Sequence, residues 1–299
     1  MSQIGDPTQA DGALSAAELA PSGWAAFWIA YRRSALGLWG AAMLLGLLLL
    51  AAFGPVLAPY DPEAIGIGPN FAAPSSAHWM GTDNLGRDVL SRVLGGCRIS
   101  LTVGVVAAIA STLIGLLVGV VSGYFGGLLD DLLMRVTEVF QTIPRFFLAM
   151  VAVAFFGANI WNIVFAIAIL SWPVTARLAR AEFMTLRARE FVDAARVLGV
   201  GTTSIIVIEI LPNAAGPVIV NGTLQVAQAL LLEAGLSYLG LGDPNSVSWG
   251  LMLYQAQPVL RDAWWMAVFP GLGIFVSVLS LNLVGDALND ALNPRLQEG

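Results

Sequence analysis

Lysine is absent from the 299 residues; all 14 basic side chains are arginine. A nucleotide-hydrolysing P-loop sets a lysine on the β- and γ-phosphates, and no such signature occurs, so any ATP chemistry belongs to another polypeptide. Cysteine occurs once, as Cys97, which excludes an intrachain disulfide. Histidine also occurs once, as His78, so a Cys/His metal site is excluded as well. Charge is scarce, at 11% of residues, where a soluble domain carries about 25%. The net charge of −6 comes without a basic tail or stripe, which argues against nucleic-acid binding. Residues 1–31 hold Asp6, Asp11 and Glu18 but no basic residue, so they lack the positive start of a secretory signal.

What the chain has instead is apolar length. With 57% hydrophobic residues, it has too little polar surface for a water-soluble fold, and the bilayer becomes its solvent. An all-α membrane protein of six transmembrane helices is expected. A span needs about 20 mostly apolar residues, which places spans near 35–57, 100–121, 132–156, 160–178, 214–236 and 263–285. Residues 1–33 form an N-terminal tail, and residues 34–299 the transmembrane domain. Span 3 is drawn as one helix from Leu132 to Phe156 because the charge-free run from Phe146 to Ala176 is too long for one span and too short for two. With both termini inside, the short inner segments hold nine arginines and the outer ones Arg87, Arg92, Arg98 and Arg261. That bias favours cytoplasmic termini in a multi-pass protein.

Smaller patterns refine this layout. Trp24, Phe27, Trp28 and Tyr31 recur at helical spacing and predict a short helix lying in the membrane interface. Residues 1–20 read as disordered. Gly115, Gly119 and Gly123, with Gly127 beyond, clear one face of span 2 for close approach of another helix. In span 3, Glu138 and Gln141, with Arg145 beyond, make a polar stripe; in span 5, Asn221, Gln225 and Gln228 make another. The span 3 stripe either serves transport or has Glu138 and Arg145 paired with neighbours or snorkelling to the inner surface; the span 5 stripe either lines a water-filled path or binds helix to helix.

The loop of residues 179–213 has helical character. Phe191, Ala194, Ala195 and Leu198 would share one face, while Arg189, Asp193 and Arg196 pair on another. Gly199 is a natural stop, Thr202, Thr203 or Ser204 could cap a second helix, and Leu211-Pro212 is expected to end it.

These residues carry a resemblance. The run Glu190-Phe191-Val192-Asp193-Ala194-Ala195-Arg196-Val197-Leu198-Gly199, followed by Leu211-Pro212-Asn213, resembles the EAA loop of ABC importer permeases, with Asp193 in place of the glutamate. The segment His78 to Arg92 is similar to the dipeptide, oligopeptide and nickel permeases, in the branch of the second permease subunit. So are Glu233 to Gly242 with Ser248-Trp249-Gly250, and Ala263 to Arg295. The resemblance covers about residues 25–296. It implies a type I ABC importer permease (MetI-like) fold in the bacterial plasma (inner) membrane. It further implies a homologous permease subunit, two ATPase subunits holding ATP and Mg, an extracytoplasmic substrate-binding protein, and membrane lipid. Coupling to the ATPase would use Glu190, Phe191, Asp193, Ala194, Ala195, Leu198, Gly199, Leu211 and Pro212. Glu138, Gln141, Asn221, Gln225 and Gln228 would line the pathway.

The implied cargo is a dipeptide or oligopeptide, with nickel or glutathione as alternatives on the same permease type. Two other classes compete. An intramembrane serine protease would need Ser237 beside the lone His78. A secondary transporter commonly shows inverted repeats, and none is apparent here. His78 lies in the loop before span 2, and a secondary transporter has no use for the 179–213 loop, so the chain is expected to be a transporter subunit and not an enzyme.

Overall fold

Ser34 and Asp88 open the first two long helices by the same device. The Ser34 hydroxyl accepts from the Gly37 N–H at 3.0 Å, and the Asp88 carboxylate accepts from the Ser91 N–H at 2.8 Å. Each satisfies a donor that a helix start otherwise leaves unpaired. The computed structural model describes residues 23–292, with side chains from Phe27 onward; the expectation of disorder over residues 1–20 lies outside the described residues, as do Trp24's side chain and Arg295. The helices are α1 (Gly23–Arg33), α2 (Ala35–Leu57), α3 (Val89–Phe125), α4 (Gly127–Thr142), α5 (Arg145–Phe156), α6 (Ile160–Leu186), α7 (Glu190–Val197), α8 (Leu211–Leu236), α9 (Trp249–Ala256) and α10 (Trp265–Leu292). Among the described residues, five helical stretches are long and apolar enough to cross a bilayer, and α4 with α5, bent by 85°, makes a sixth crossing if the pair is taken as one span.

The bend corrects the single helix expected over 132–156. Ile143 is extended (φ −97°, ψ 135°) and Pro144 follows it. Proline pushes its predecessor out of the helical region and has no N–H to give, so the helix breaks there. A second correction runs the other way. Leu211-Pro212 does not end a helix: residues 202–241 form one continuous stretch. The turn Ile205–Ile210 is wide, with Leu211 N–H bonding to the Ile206 carbonyl five residues back. This changed register accommodates the proline's missing donor, and Asn213 Nδ2 donates to the Glu209 carbonyl at 2.7 Å. The stretch begins after Gly201 without a side-chain cap from Thr202, Thr203 or Ser204.

The α3–α6 pair is the centre of the bundle. A Cβ at Gly115, Gly119 or Gly123 would lie 2.5, 2.5 or 2.7 Å from the carbonyl oxygens of Trp172, Ala176 and Arg180. Only glycine permits this backbone contact, which is the close approach that the four-residue repeat announces. Gly127 lies outside the contact, with open space around it. Around this pair, α8 packs on α3 and α6, α10 on α8 and α2, and α1 on the end of α10 through Tyr31, Ala287 and Ala291. Trp28 stays 46% exposed on α1, stacked against Tyr31 and beneath Arg32.

Six alternating crossings place residues 58–88, 157–159 and 242–264 on one side, here the α9 face, and residues 187–201 on the other, the α7 face. Side-chain bonds lock the α9 face. Asp83 accepts from the Leu85 and Arg87 N–H groups and from Arg87 Nε at 2.6 Å, and Arg92 Nη2 reaches Gln255 at 2.8 Å. Trp265 Nε1 donates to the Thr82 carbonyl at 3.0 Å, and Trp249 Nε1 to that of Val93 at 3.0 Å. Asp83, Asp88 and Arg92 are buried, so the polar letters of the segment ahead of α3 serve packing.

Candidate functional site

The α7 helix has eight residues and two unlike faces. Val192 and Ala195, one turn apart, sink into an apolar cluster with Phe183 of α6 and Ile205, Ile210 and Ala214 at the start of the long 202–241 stretch. The helix closes on a Schellman turn. Gly199 takes φ +77°, its N–H bonds to the Arg196 carbonyl, and Val200 N–H bonds to that of Ala195, each at 3.0 Å.

The other face is open. Phe191, Ala194, Val197 and Leu198 are exposed, Val197 at 88% and Leu198 at 82%. Glu190 and Asp193 flank them, with Asp193 paired to Arg196 at 2.9 Å. The expected sharing of one face by Phe191, Ala194, Ala195 and Leu198 therefore divides. Ala195 joins Val192 in the seat, and the other three stand outward. Arg189 occupies the N-cap position and forms no ion pair among the described residues. Leu211 is half-buried at the edge of the same cluster, and Pro212 is exposed.

Among the expected pathway residues, the span 5 stripe also divides. Gln225 is buried: its Nε2 donates to Thr175 of α6, and its Oε1 accepts from the Ser111 hydroxyl of α3 at 2.7 Å. Asn221 Nδ2 donates to the same Thr175 at 2.9 Å. These two amides join α8 to α6 and α3, Gln225 buried and Asn221 half-buried. Gln228, by contrast, is exposed and accepts from Arg145 Nη2 at 3.3 Å. With Pro144, Arg145, Phe146, Ser171, Leu231 and Leu232 it lines a cavity of about 450 Å³.

A second cavity, of about 350 Å³, lies nearer the α7 face and is lined by Asp131, Met134, Arg135, Glu138, Arg177 and Arg180. Glu138 pairs with Arg135 at 3.2 Å on open surface, and Gln141 accepts from Arg177. The structure thus brings Glu138 and Gln141 to one end of an open face and Gln228 to the other, with Arg145 beside it.

Two pairings escaped the sequence reading. Asp130 accepts both Arg180 Nε and Nη2 at 2.6 Å, and also the Ser122 hydroxyl, which clamps α4 to α6 and α3. Glu233 is buried beside the wide turn Ser237–Leu241, where it accepts from the Ser237 hydroxyl at 2.8 Å. His78 instead pairs with Asp88 at 2.9 Å, so Ser237 and His78 share no bond. The Ser248-Trp249-Gly250 run packs there too: Ser248 caps α9, and a Cβ on Gly250 would lie 2.7 Å from that of Ser237.

Comparison with known proteins gives a consistent picture. Residues 115–298 match the family model described as the binding-protein-dependent transport system inner membrane component. Residues 22–74 match the N-terminal transmembrane domain of oligopeptide transport permease C. A protein of Brucella suis named as a peptide permease is 41% identical over 263 residues, 87% of each chain. The glutathione transport system permease protein GsiD of Escherichia coli is 40% identical over 276 residues, 92% of this chain and 91% of its own. A chain of the inward-facing MetNI methionine ABC transporter superposes with a TM-score of 0.56 at 18% identity, over 68% of this chain and 96% of that one, and shows the fold alone.

Proposed function

This chain belongs to the family of binding-protein-dependent transport system inner membrane components, as an ABC importer permease, and from that premise we propose that it carries short peptides inward as one half of a two-permease channel. Glutathione, the cargo in the name of a relative 40% identical, is itself a tripeptide and falls within that class. Two separate ATPase subunits holding ATP and Mg drive the cycle, and an external binding protein delivers the cargo to the α9 face. Both termini then lie in the cytoplasm, in keeping with the arginine bias.

The observation that carries this reading is α7. A helix anchored through Val192 and Ala195 while Leu198 stands 82% exposed is built to be gripped by another protein. When the ATPase dimer closes on ATP, α7 moves with it. Its seat is shared by Phe183 of α6 and by Ile205 and Ile210 of the continuous 202–241 helix, so the push reaches α6 and α8 together. Those two helices carry Ser171 and Gln228, at the far end of the open face. The bundle then exchanges inward- for outward-facing packing, a two-state change driven from a distance.

Reconstitution tests this. Vesicles holding this chain with its partner permease and ATPases should take up trialanine only with binding protein outside and ATP at the ATPases. Uptake by this chain alone, driven by a proton gradient, would contradict the proposal.

A further inference from the structure

Arg145 sits far from either membrane face. It shares a cavity with Ser171, which lies eleven residues along α6 from Ile160. That is about 16 Å of helix, near the middle of a hydrocarbon core roughly 30 Å thick. An arginine at such depth is costly and normally pairs with a carboxylate. Among the described residues Arg145 has no carboxylate partner, only the neutral Gln228.

The surroundings supply further donors. Ser171 is buried, lines the cavity, and has no hydrogen-bond partner for its hydroxyl among the described residues. Pro144, Arg145 and Phe146 begin α5, so the positive end of its helix dipole faces the same space. Leu231, Leu232 and Phe146 provide apolar walls. The cavity near the α7 face differs, because Asp131 and Glu138 offset its arginines.

We propose that the Arg145–Ser171–Gln228 cavity is the mid-membrane subsite for the carboxylate of the cargo, the planar guanidinium fork taking both carboxylate oxygens. The inference rests on the reading of the chain as a peptide permease. Short peptides suit the site, since each offers a terminal carboxylate. The fork geometry favours a carboxylate over a neutral amide.

The test compares trialanine with its C-terminal amide in vesicles holding the full complex and a saturating binding protein. Arg145→Gln should slow trialanine uptake about tenfold or more, leave amide uptake near the parent rate, and so erase the parent's preference for the acid. Arg145→Lys should restore part of that preference. Because each variant is read as a ratio of two probes, a change in folded yield cancels. An equal loss for both probes would overturn the proposal and assign Arg145 to an ion pair with the other permease. An unchanged ratio would overturn it as well. If the parent complex moves neither probe, the peptide reading itself fails, and this subsite with it.

Discussion

Gln225 and Gln228 lie three residues apart on α8, yet one bonds to Thr175 and Ser111 inside the bundle while the other faces a cavity beside Arg145. Gln225→Ala would remove the amide that bridges Ser111 of α3 and Thr175 of α6. It should lower stability by about 1–2 kcal/mol, the upper range for interhelical hydrogen bonds in membranes, as read by unfolding in detergent. Gln228→Ala should leave stability within about 0.5 kcal/mol and change uptake kinetics instead. The sequence offers both glutamines as one polar stripe. It cannot separate them, because the choice depends on Ser111 and Thr175, which lie 114 and 50 residues from Gln225 along the chain. Asp130 is hidden for the same reason: its partner Arg180 is fifty residues away. Periodicity reports which residues share a face, and only packing reports what that face meets.

At the scale of elements, local rules were most legible where backbone chemistry decides. The repeat Gly115, Gly119, Gly123 told of a close helix contact, and α6 fills it. Gly199 told of a helix stop, and the positive-φ turn stands there. Proline misled in both directions. Pro144 broke a span drawn as continuous, since nothing rescues the extended Ile143, whereas Pro212 was absorbed by a wide turn and the Asn213 amide.

The faces of α7 were half legible. The four-residue pattern located the helix but set Ala195 on the docking side, because an eight-residue helix needs no more than Val192 and Ala195 to hold it down. The two positions should respond differently. Leu198→Glu adds a charge on an exposed position and should cut ATP-driven uptake about tenfold or more, with normal insertion and folded yield. Ala195→Glu buries a carboxylate in the cluster of Phe183 and Ile205, which costs several kcal/mol, and should lower the folded yield itself, seen by size-exclusion chromatography.

At the scale of the whole molecule, the continuous 202–241 helix links a handle on one face to the cavity lined by Arg145, Ser171 and Gln228. The fold class was readable from hydropathy alone, because an apolar solvent leaves helices as the simplest way to satisfy every backbone group. The path between handle and cavity was not readable, because it depends on the wide turn that lets the helix run through Pro212. The central claim is that α7 is the contact with a separate ATPase, and photo-crosslinking in the assembled complex tests it most directly. With benzoylphenylalanine in place of Leu198, illumination should yield a product joining this chain to the ATPase subunit, in an amount that changes when ATP is added. An intact, purified complex whose products at that position reach only lipid or this same chain would contradict the account.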